Sequence, residues 1–116
     1  MGGTYDLEER TLEFGKRIIR LCKAIQHDTI NNTLTDQIMR SGSSVGANYR
    51  EANEKLSKKD FLHRMKIARK EAKETTYWLD LIIEANPQFT KRIEPLRQES
   101  IELRNILSSI INKSDK

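Results

Sequence analysis

The chain contains 116 residues, of which 36% are hydrophobic and 33% charged, with a formal net charge of +4 and a single cysteine. This length predicts one domain, and the apolar fraction excludes an intrinsically disordered chain. Because Cys22 is the only cysteine, an internal disulfide framework is excluded and a reducing, cytoplasmic location is favoured. The sequence has no long apolar run, so we expect no signal peptide and no membrane span.

Residues 6–26 form the first predicted helix, because their apolar residues recur in alternating steps of four and three. Asp6, Glu8 and Glu9 open this segment, where acidic side chains interact favourably with the helix dipole. Beyond the helix, Asn31 and Asn32 predict a turn. The predicted buried stripe consists of Leu7, Thr11, Phe14, Ile18, Leu21 and Ile25.

Residues 34–55 form the second predicted helix, although residues 41–47, SGSSVGA, are poor helix formers. This segment has three interpretations: a phosphate-binding loop, a linker, or a closely packed helix. A phosphate loop needs a preceding strand and usually a lysine directly after the glycines, but no strand is predicted before Gly42 and no lysine follows Gly46 until Lys55. A linker does not explain why the apolar spacing continues through the segment. That stripe is Leu34, Ile38, Ser41, Val45, Asn48 or Tyr49, Ala52 and Leu56.

Close packing is favoured because Gly42 and Gly46 lie four residues apart, on one helix face. Such small side chains let a neighbouring helix approach closely. Two glycines cost about 2 kcal/mol of helix propensity, which packing within a bundle or against another subunit must offset. The residues predicted to serve helix packing or subunit contact are Ser41, Gly42, Val45, Gly46, Asn48 and Trp78.

Residues 58–85 form the third and longest predicted helix. Ser57 and Asp60 have the spacing of a capping box at its start, and Asn86 before Pro87 disfavours helix at its end. At about 1.5 Å per residue, this helix would span about 40 Å. Its stripe is Phe61, Met65, Ala68, Ala72, Thr75, Leu79 and Ile82.

Residues 88–113 form the fourth predicted helix, whose regular part is expected to begin near Ile93 or Glu94, with Pro95 in the first turn. It carries two apolar lines, and a helix that is apolar on two faces usually has two neighbours, which predicts oligomerisation. Four amphipathic helices with short links predict an all-α, antiparallel up-down-up-down four-helix bundle. The main stripe is Ile93, Leu96, Ser100, Leu103, Leu107 and Ile110, and the second line is Ile101, Ile106 and Ile111.

Three segments of the chain resemble the four-helix-bundle family called the 23S rRNA intervening-sequence protein family. They are RSGSSVGANYRE (residues 40–51), SKKDF (residues 57–61) and KEAKETTYWL (residues 70–79). The resemblance implies a small bacterial protein that assembles as a homopentameric ring and has no established enzymatic activity. A similar protein, the accessory variability determinant of diversity-generating retroelements, binds nucleic acid and a reverse transcriptase.

Basic residues are concentrated between residues 55 and 74, where eight lysines and arginines accompany three acidic residues. Five positions of the third helix step by four and three, so they share one face, opposite the apolar stripe. They are Lys59, His63, Lys66, Lys70 and Lys73. This face is either a contact surface for RNA or DNA phosphates or an ordinary solvated surface; the absence of acids among the five positions argues for the first. The candidate nucleic-acid-binding residues are Lys59, His63, Lys66, Arg69, Lys70, Lys73 and Tyr77, the last by base stacking.

No catalytic, cofactor-binding or metal-binding residues are predicted. Neither His27 nor His63 has a glutamate three residues before it, as di-iron four-helix bundles require. Cys22 has no cysteine or histidine at metal-ligand spacing. The residue pattern therefore predicts a protein that is not an enzyme and has no small-molecule substrate.

Glu71 and Glu74 lie one helical turn apart and resemble a carboxylate pair. They are expected to pair with lysines such as Lys70 and Lys73, or to serve as polar packing groups, rather than to act in catalysis. Two interpretations of function remain open. The chain is either a homo-oligomer that binds RNA or DNA, or a structural or protein-interaction scaffold whose lysines maintain solubility.

Overall fold

Four helices and one short 3₁₀ turn make up the regular secondary structure of residues 6–54 and 57–115, the ranges that this computed structural model describes. The helices are α1 (Leu7–Ala24), α2 (Thr29–Ala52), α3 (Lys58–Ala85) and α4 (Thr90–Ser114), and the 3₁₀ turn covers Pro87–Phe89. Each helix packs against its neighbours in the chain, and α4 closes the bundle on α1 through the smallest of the four contacts. The predicted all-α, four-helix class is confirmed.

The bundle is elongated, with principal extents of 45 × 29 × 19 Å, as expected for helices of this length lying side by side. Its core runs along the shared axis and takes side chains from all four helices. Within the described ranges, no helix has the length and apolar character needed to cross a membrane.

α1 follows the predicted stripe closely. The Asp6 carboxylate accepts a hydrogen bond from the backbone N–H of Glu8 at 2.9 Å, which caps the helix at its positive end. The helix ends at Ala24, and Ile25, at its C-cap, is buried with the rest of the stripe.

α2 begins at Thr29, five residues before the predicted start, so the turn predicted at Asn31 and Asn32 is wrong. Asp28 caps the helix by accepting a hydrogen bond from the backbone N–H of Asn31 at 2.7 Å. The buried Asn31 amide also pairs reciprocally with the Asn86 amide at the end of α3, at 3.1 and 2.9 Å. This tertiary pair overrides the turn preference of asparagine.

The end of α2 falls close to residues that the structure does not describe. The described helix ends at Ala52, three residues before the predicted boundary. The predicted boundary residue Lys55 and the stripe residue Leu56 lie outside the described ranges.

Residues 41–47 are helical throughout, and Gly42 and Gly46 lie against α1. A Cβ atom added at Gly42 would lie 3.0 Å from Ile18 Cγ1, and one added at Gly46 would lie 3.0 Å from Thr11 Oγ1. The two glycines therefore permit a close approach of α1 and α2 inside one protomer, which offsets their cost in helix propensity.

Other small and polar residues of α2 pack toward α3. The buried Thr75 hydroxyl lies 2.9 Å from the Ser41 hydroxyl, and Val45 is completely buried. Asn48, half-buried, donates to the Ser44 carbonyl at 2.9 Å and accepts a hydrogen bond from Arg64 of α3 at 3.2 Å. These hydrogen bonds provide partners for the polar groups that this part of α2 places near the core.

α3 has the predicted bounds. Ser57 accepts a hydrogen bond from the backbone N–H of Asp60 at 3.2 Å, which confirms the predicted N-cap, and the helix ends at Ala85, before Asn86.

α4 begins at Thr90, three residues before the expected start of its regular part, because the 3₁₀ turn leads directly into it. Pro95 consequently lies inside the helix. The buried seam ends on Ile111, and Ile110 is only partly buried, so the predicted division of these two residues between the apolar lines is wrong. A four-residue step from Leu107 keeps Ile111 on the core face.

Candidate nucleic-acid interface

The basic face of α3 borders an open groove between α3 and α4, with a volume of ≈ 460 Å³. Four of the groove's basic residues belong to α3 and one to α4. Because α3 and α4 pack side by side, the groove extends the basic row of one helix onto a second helix. The lining residues are Lys66, Arg69, Lys70, Lys73, Arg104, Asn105 and Ser108.

The two carboxylates in the middle of α3, Glu71 and Glu74, do not line this groove. Arg40 of α2 forms ion pairs with Glu71, at 3.3 Å, and with Glu74. The Trp78 indole N–H donates to Glu74 at 3.0 Å. The expectation that these carboxylates pair with lysines of α3 is therefore wrong, because α2 offers an arginine within reach of both.

The basic side chains of the groove are left without acidic partners. Within residues 6–54 and 57–115, no ion pair involves Lys66, Arg69, Lys70, Lys73 or Arg104. The Arg104 guanidinium instead lies 3.5 Å from Asn105 Oδ1. The groove thus concentrates positive charge on one side of the bundle, where anions are attracted.

The remaining residues predicted for nucleic-acid contact lie on the same helix but outside the groove lining. Lys59 and His63 are exposed nearer the start of α3. Tyr77, whose exposed fraction is 57%, lies one turn beyond Lys73. Its ring contacts the half-buried Trp78 edge to face, with centroids 5.1 Å apart and an interplanar angle of 70°. The Trp78 ring therefore packs against the Tyr77 ring from within the protein.

The basic character of α3 ends near Tyr77. Asp80 lies one turn farther along and forms an ion pair with Arg97 of α4 at 2.6 Å. Glu94 borders the next groove between the same two helices, together with Asp80. A polyanion lying along the basic groove would therefore meet acidic side chains beyond Tyr77, which limits its path.

Sequence patterning alone missed Arg104, Asn105 and Ser108. Each is a polar residue on a helix whose sequence pattern is dominated by its apolar stripe, and nothing in the linear sequence aligns α4 with the basic row. An antiparallel α3–α4 register would have found them, since Thr76 and Ser100, whose hydroxyls lie 2.6 Å apart, set that register.

The described part of the chain contains no group of three or more His, Cys, Asp or Glu side chains placed to hold a metal ion. Burial raises the pKa of the half-buried Cys22 thiol to about 11, and the charge of Asp36 acts in the same direction. This thiol is therefore protonated at neutral pH.

Comparisons with known proteins bear on the whole chain. A family model described as 23S rRNA-intervening sequence protein matches residues 4–109. The fold is similar to the crystal structure of a protein of unknown function from the S23 ribosomal protein family of Bacteroides thetaiotaomicron. That similarity has a TM-score of 0.80 and 38% sequence identity, and it covers 90% of this chain and 96% of the other. A search of curated proteins finds no match.

Proposed function

The chain belongs to the 23S rRNA-intervening sequence protein family, and from this premise we propose that it is a non-enzymatic homo-oligomer that binds RNA or DNA through the α3–α4 groove. The observation that carries the proposal is the separation of charge on α3. Its mid-helix carboxylates are paired with Arg40, while the groove's five basic side chains have no acidic partner among the described residues. The resemblance noted in the sequence also implies a likeness to the accessory variability determinant of diversity-generating retroelements, which binds nucleic acid, and this likeness supports the proposal.

In this proposal the groove neutralises backbone phosphates rather than reading base sequence. Lysines and arginines that replace condensed counterions make binding strongly dependent on salt, with a slope of about −0.7 per contact for single strands. Tyr77, exposed and supported by Trp78, offers a stacking surface for an unpaired base at the end of the row.

Homo-oligomerisation is proposed through the outer face of α1 and α2. Leu12 and Ile19 are 47% and 43% exposed, and with Gly15 they border an apolar groove of ≈ 200 Å³. A Cβ atom at Gly15 would meet nothing within 4 Å, so nothing inside the described chain offsets the helix-propensity cost of this glycine. A second copy of the chain packing on this face would offset it.

The family resemblance implies that the assembly is a homopentameric ring, and the single cysteine, Cys22, favours a location in the cytoplasm. Five copies of the basic groove would be repeated by symmetry, and modest contacts at each would add through avidity. The alternative, a scaffold with no nucleic-acid partner, predicts the same assembly without a role for the basic side chains.

The groove is tested by charge reversal. We expect Lys66→Glu with Lys70→Glu to weaken binding to a generic single-stranded RNA at least tenfold and to reduce the salt slope by about one to two. Fluorescence anisotropy at several chloride concentrations measures both quantities.

The matched control carries the same charge change on exposed lysines outside the groove, Lys23→Glu with Lys113→Glu. Equal losses in the two variants would reduce the effect to net charge. Absence of wild-type binding to RNA and DNA even at low salt would leave the scaffold interpretation.

A further inference from the structure

A second cluster of basic side chains lies on another side of the bundle, where α1 and α4 make their small contact. Arg17 and Arg20 of α1 and Arg92 of α4 line a groove of ≈ 190 Å³. The buried side chains of Leu21 and Leu96 complete its lining. The groove shares no residue with the basic groove between α3 and α4.

Every basic residue that lines this groove is an arginine, although lysines lie close by in the sequence. Lys16 directly precedes Arg17 but lines the apolar groove between α1 and α2. Lys91 directly precedes Arg92 and does not line the arginine groove. Guanidinium groups bind phosphate oxygens in a planar, bidentate geometry that ammonium groups cannot reproduce, so this distribution suits a phosphate ligand.

Only one of the three guanidinium groups has an ion-pair partner among the described residues. Arg20 forms an exposed ion pair with Glu13 at 2.9 Å. Arg92 reaches across to α1, where it donates to the backbone carbonyl of Arg20 at 3.4 Å. Within residues 6–54 and 57–115, neither Arg17 nor Arg92 forms an ion pair.

Three like charges drawn together beside a single carboxylate repel one another, and a bound anion would relieve that repulsion. Elsewhere along the α1–α4 contact the charges are balanced, because Arg10 forms ion pairs with Glu99 and Glu102. The excess of positive charge is therefore local to the groove.

We propose that Arg17, Arg20 and Arg92 form a phosphate-binding site distinct from the α3–α4 groove. Its ligand is a phosphate group carried either by a small phosphate compound or by a polynucleotide. The apolar side chains of Leu21 and Leu96 exclude water from one side of the anion, which strengthens its interaction with the guanidinium groups.

The site is tested first with inorganic phosphate. Thermal unfolding of the wild type is followed in phosphate and in chloride at equal ionic strength, and we expect a melting temperature several degrees higher in phosphate. Arg92→Ala and Arg17→Ala should abolish this difference, and Arg92→Lys should reduce it.

Lys91→Ala is the matched control, since it removes the same charge from the adjacent position and should retain the full response. A wild-type melting temperature equal in phosphate and chloride would overturn the proposal. The proposal would also be overturned if Lys91→Ala and Arg92→Ala reduced the difference in melting temperature between phosphate and chloride by the same amount.

The source of the phosphate group is distinguished in the Lys66→Glu, Lys70→Glu background, which removes the contribution of the α3–α4 groove. Residual binding of a short RNA that depends on Arg92 and is displaced by inorganic phosphate would identify a polynucleotide ligand. A phosphate response that persists without residual RNA binding would identify a small phosphate compound.

Discussion

Three glycines in helical positions have different surroundings. A Cβ atom added at Gly46 would lie 3.0 and 3.2 Å from side-chain atoms of Thr11 and 3.5 Å from its backbone, whereas the three atoms nearest to one added at Gly42 all belong to the Ile18 side chain. Gly15 faces open space. The same substitution should therefore have opposite effects at the two ends of this series.

We expect Gly46→Ala to lower the free energy of unfolding by about 1–2 kcal/mol, because the added methyl group forces α1 away. Gly15→Ala should raise it by about 1 kcal/mol, the gain in helix propensity. Urea denaturation of both variants in a Leu12→Glu background, chosen to prevent the proposed association, measures these changes. Equal effects at Gly15 and Gly46 would contradict the assigned packing of α2 on α1.

The Cys22 thiol has a pKa of about 11 in the folded protein, against an ordinary value of 9.0, chiefly because it is partly buried. The folded state holds this proton more tightly than the unfolded chain, so the thiol contributes stability below pH 9 and loses that contribution as the pH rises through 11.

At pH 8 we expect iodoacetamide to alkylate native Cys22 about 100-fold more slowly than the urea-unfolded chain, since the thiolate fraction differs by that factor. Mass spectrometry of timed samples measures both rates. Similar rates in the two states would show that the thiol is not buried and that its pKa is not raised. Asp36→Asn should accelerate the native reaction modestly, because it removes the second cause of the shift.

At the scale of the elements, the small α1–α4 contact is reinforced by one arginine. Arg10 donates from Nε and Nη2 to the two carboxylate oxygens of Glu99, at 2.7 and 2.8 Å, and from Nη2 to Glu102 at 3.0 Å. The side chains of Arg10 and Glu99 are only 19% and 15% exposed. The hydrogen bond to Glu99 raises the pKa of Arg10 above its usual range, so the guanidinium keeps its charge.

A double-mutant cycle with Arg10→Met and Glu99→Gln should give a coupling free energy of about 2 kcal/mol, as charge-assisted bidentate pairs with little solvent access do. The same cycle at Arg20 and Glu13, an exposed pair of similar length, should give less than about 0.5 kcal/mol. Chemical denaturation supplies the four free energies in each cycle. Equal couplings would mean that the Arg10 pair does not hold α1 against α4.

At the scale of the whole molecule, the proposed function depends on repetition of the basic groove. Leu12→Glu places a charge on the apolar face of α1 and should separate the protomers, which light scattering measures. We expect its affinity for an RNA long enough to reach several grooves to fall about 100-fold, while its affinity for a short oligonucleotide stays within a factor of two.

The matched control is Ile30→Glu, which changes an exposed apolar residue that does not line the apolar groove between α1 and α2. Leu7→Glu would not serve, because Leu7 is buried. Ile30→Glu should leave both the mass and the RNA affinities unchanged. A wild-type chain that is monomeric would contradict the proposed assembly, and a dissociated Leu12→Glu variant with undiminished affinity for long RNA would contradict avidity.

The helical class, the four helices and most of the buried stripe could be predicted from the linear sequence, because apolar spacing at steps of three and four depends only on helix geometry. The linear sequence also located the basic row on α3, since residues such as Lys66, Lys70 and Lys73 share a face whatever the helix packs against. Periodicity predicted that the glycine-containing segment of α2 is helical, although propensity opposed it.

The groups that meet across helices could not be predicted in this way and became visible in the packed bundle. The pairing of Asn31 with Asn86, which extends α2, joins residues 55 positions apart. The pairing of Arg40 with Glu71 and Glu74 leaves the groove residues of α3 without acidic partners among the described residues, and the packing of α4 adds Arg104 to them. Such contacts depend on the register and rotation of neighbouring helices, which the periodicity of each helix alone does not specify.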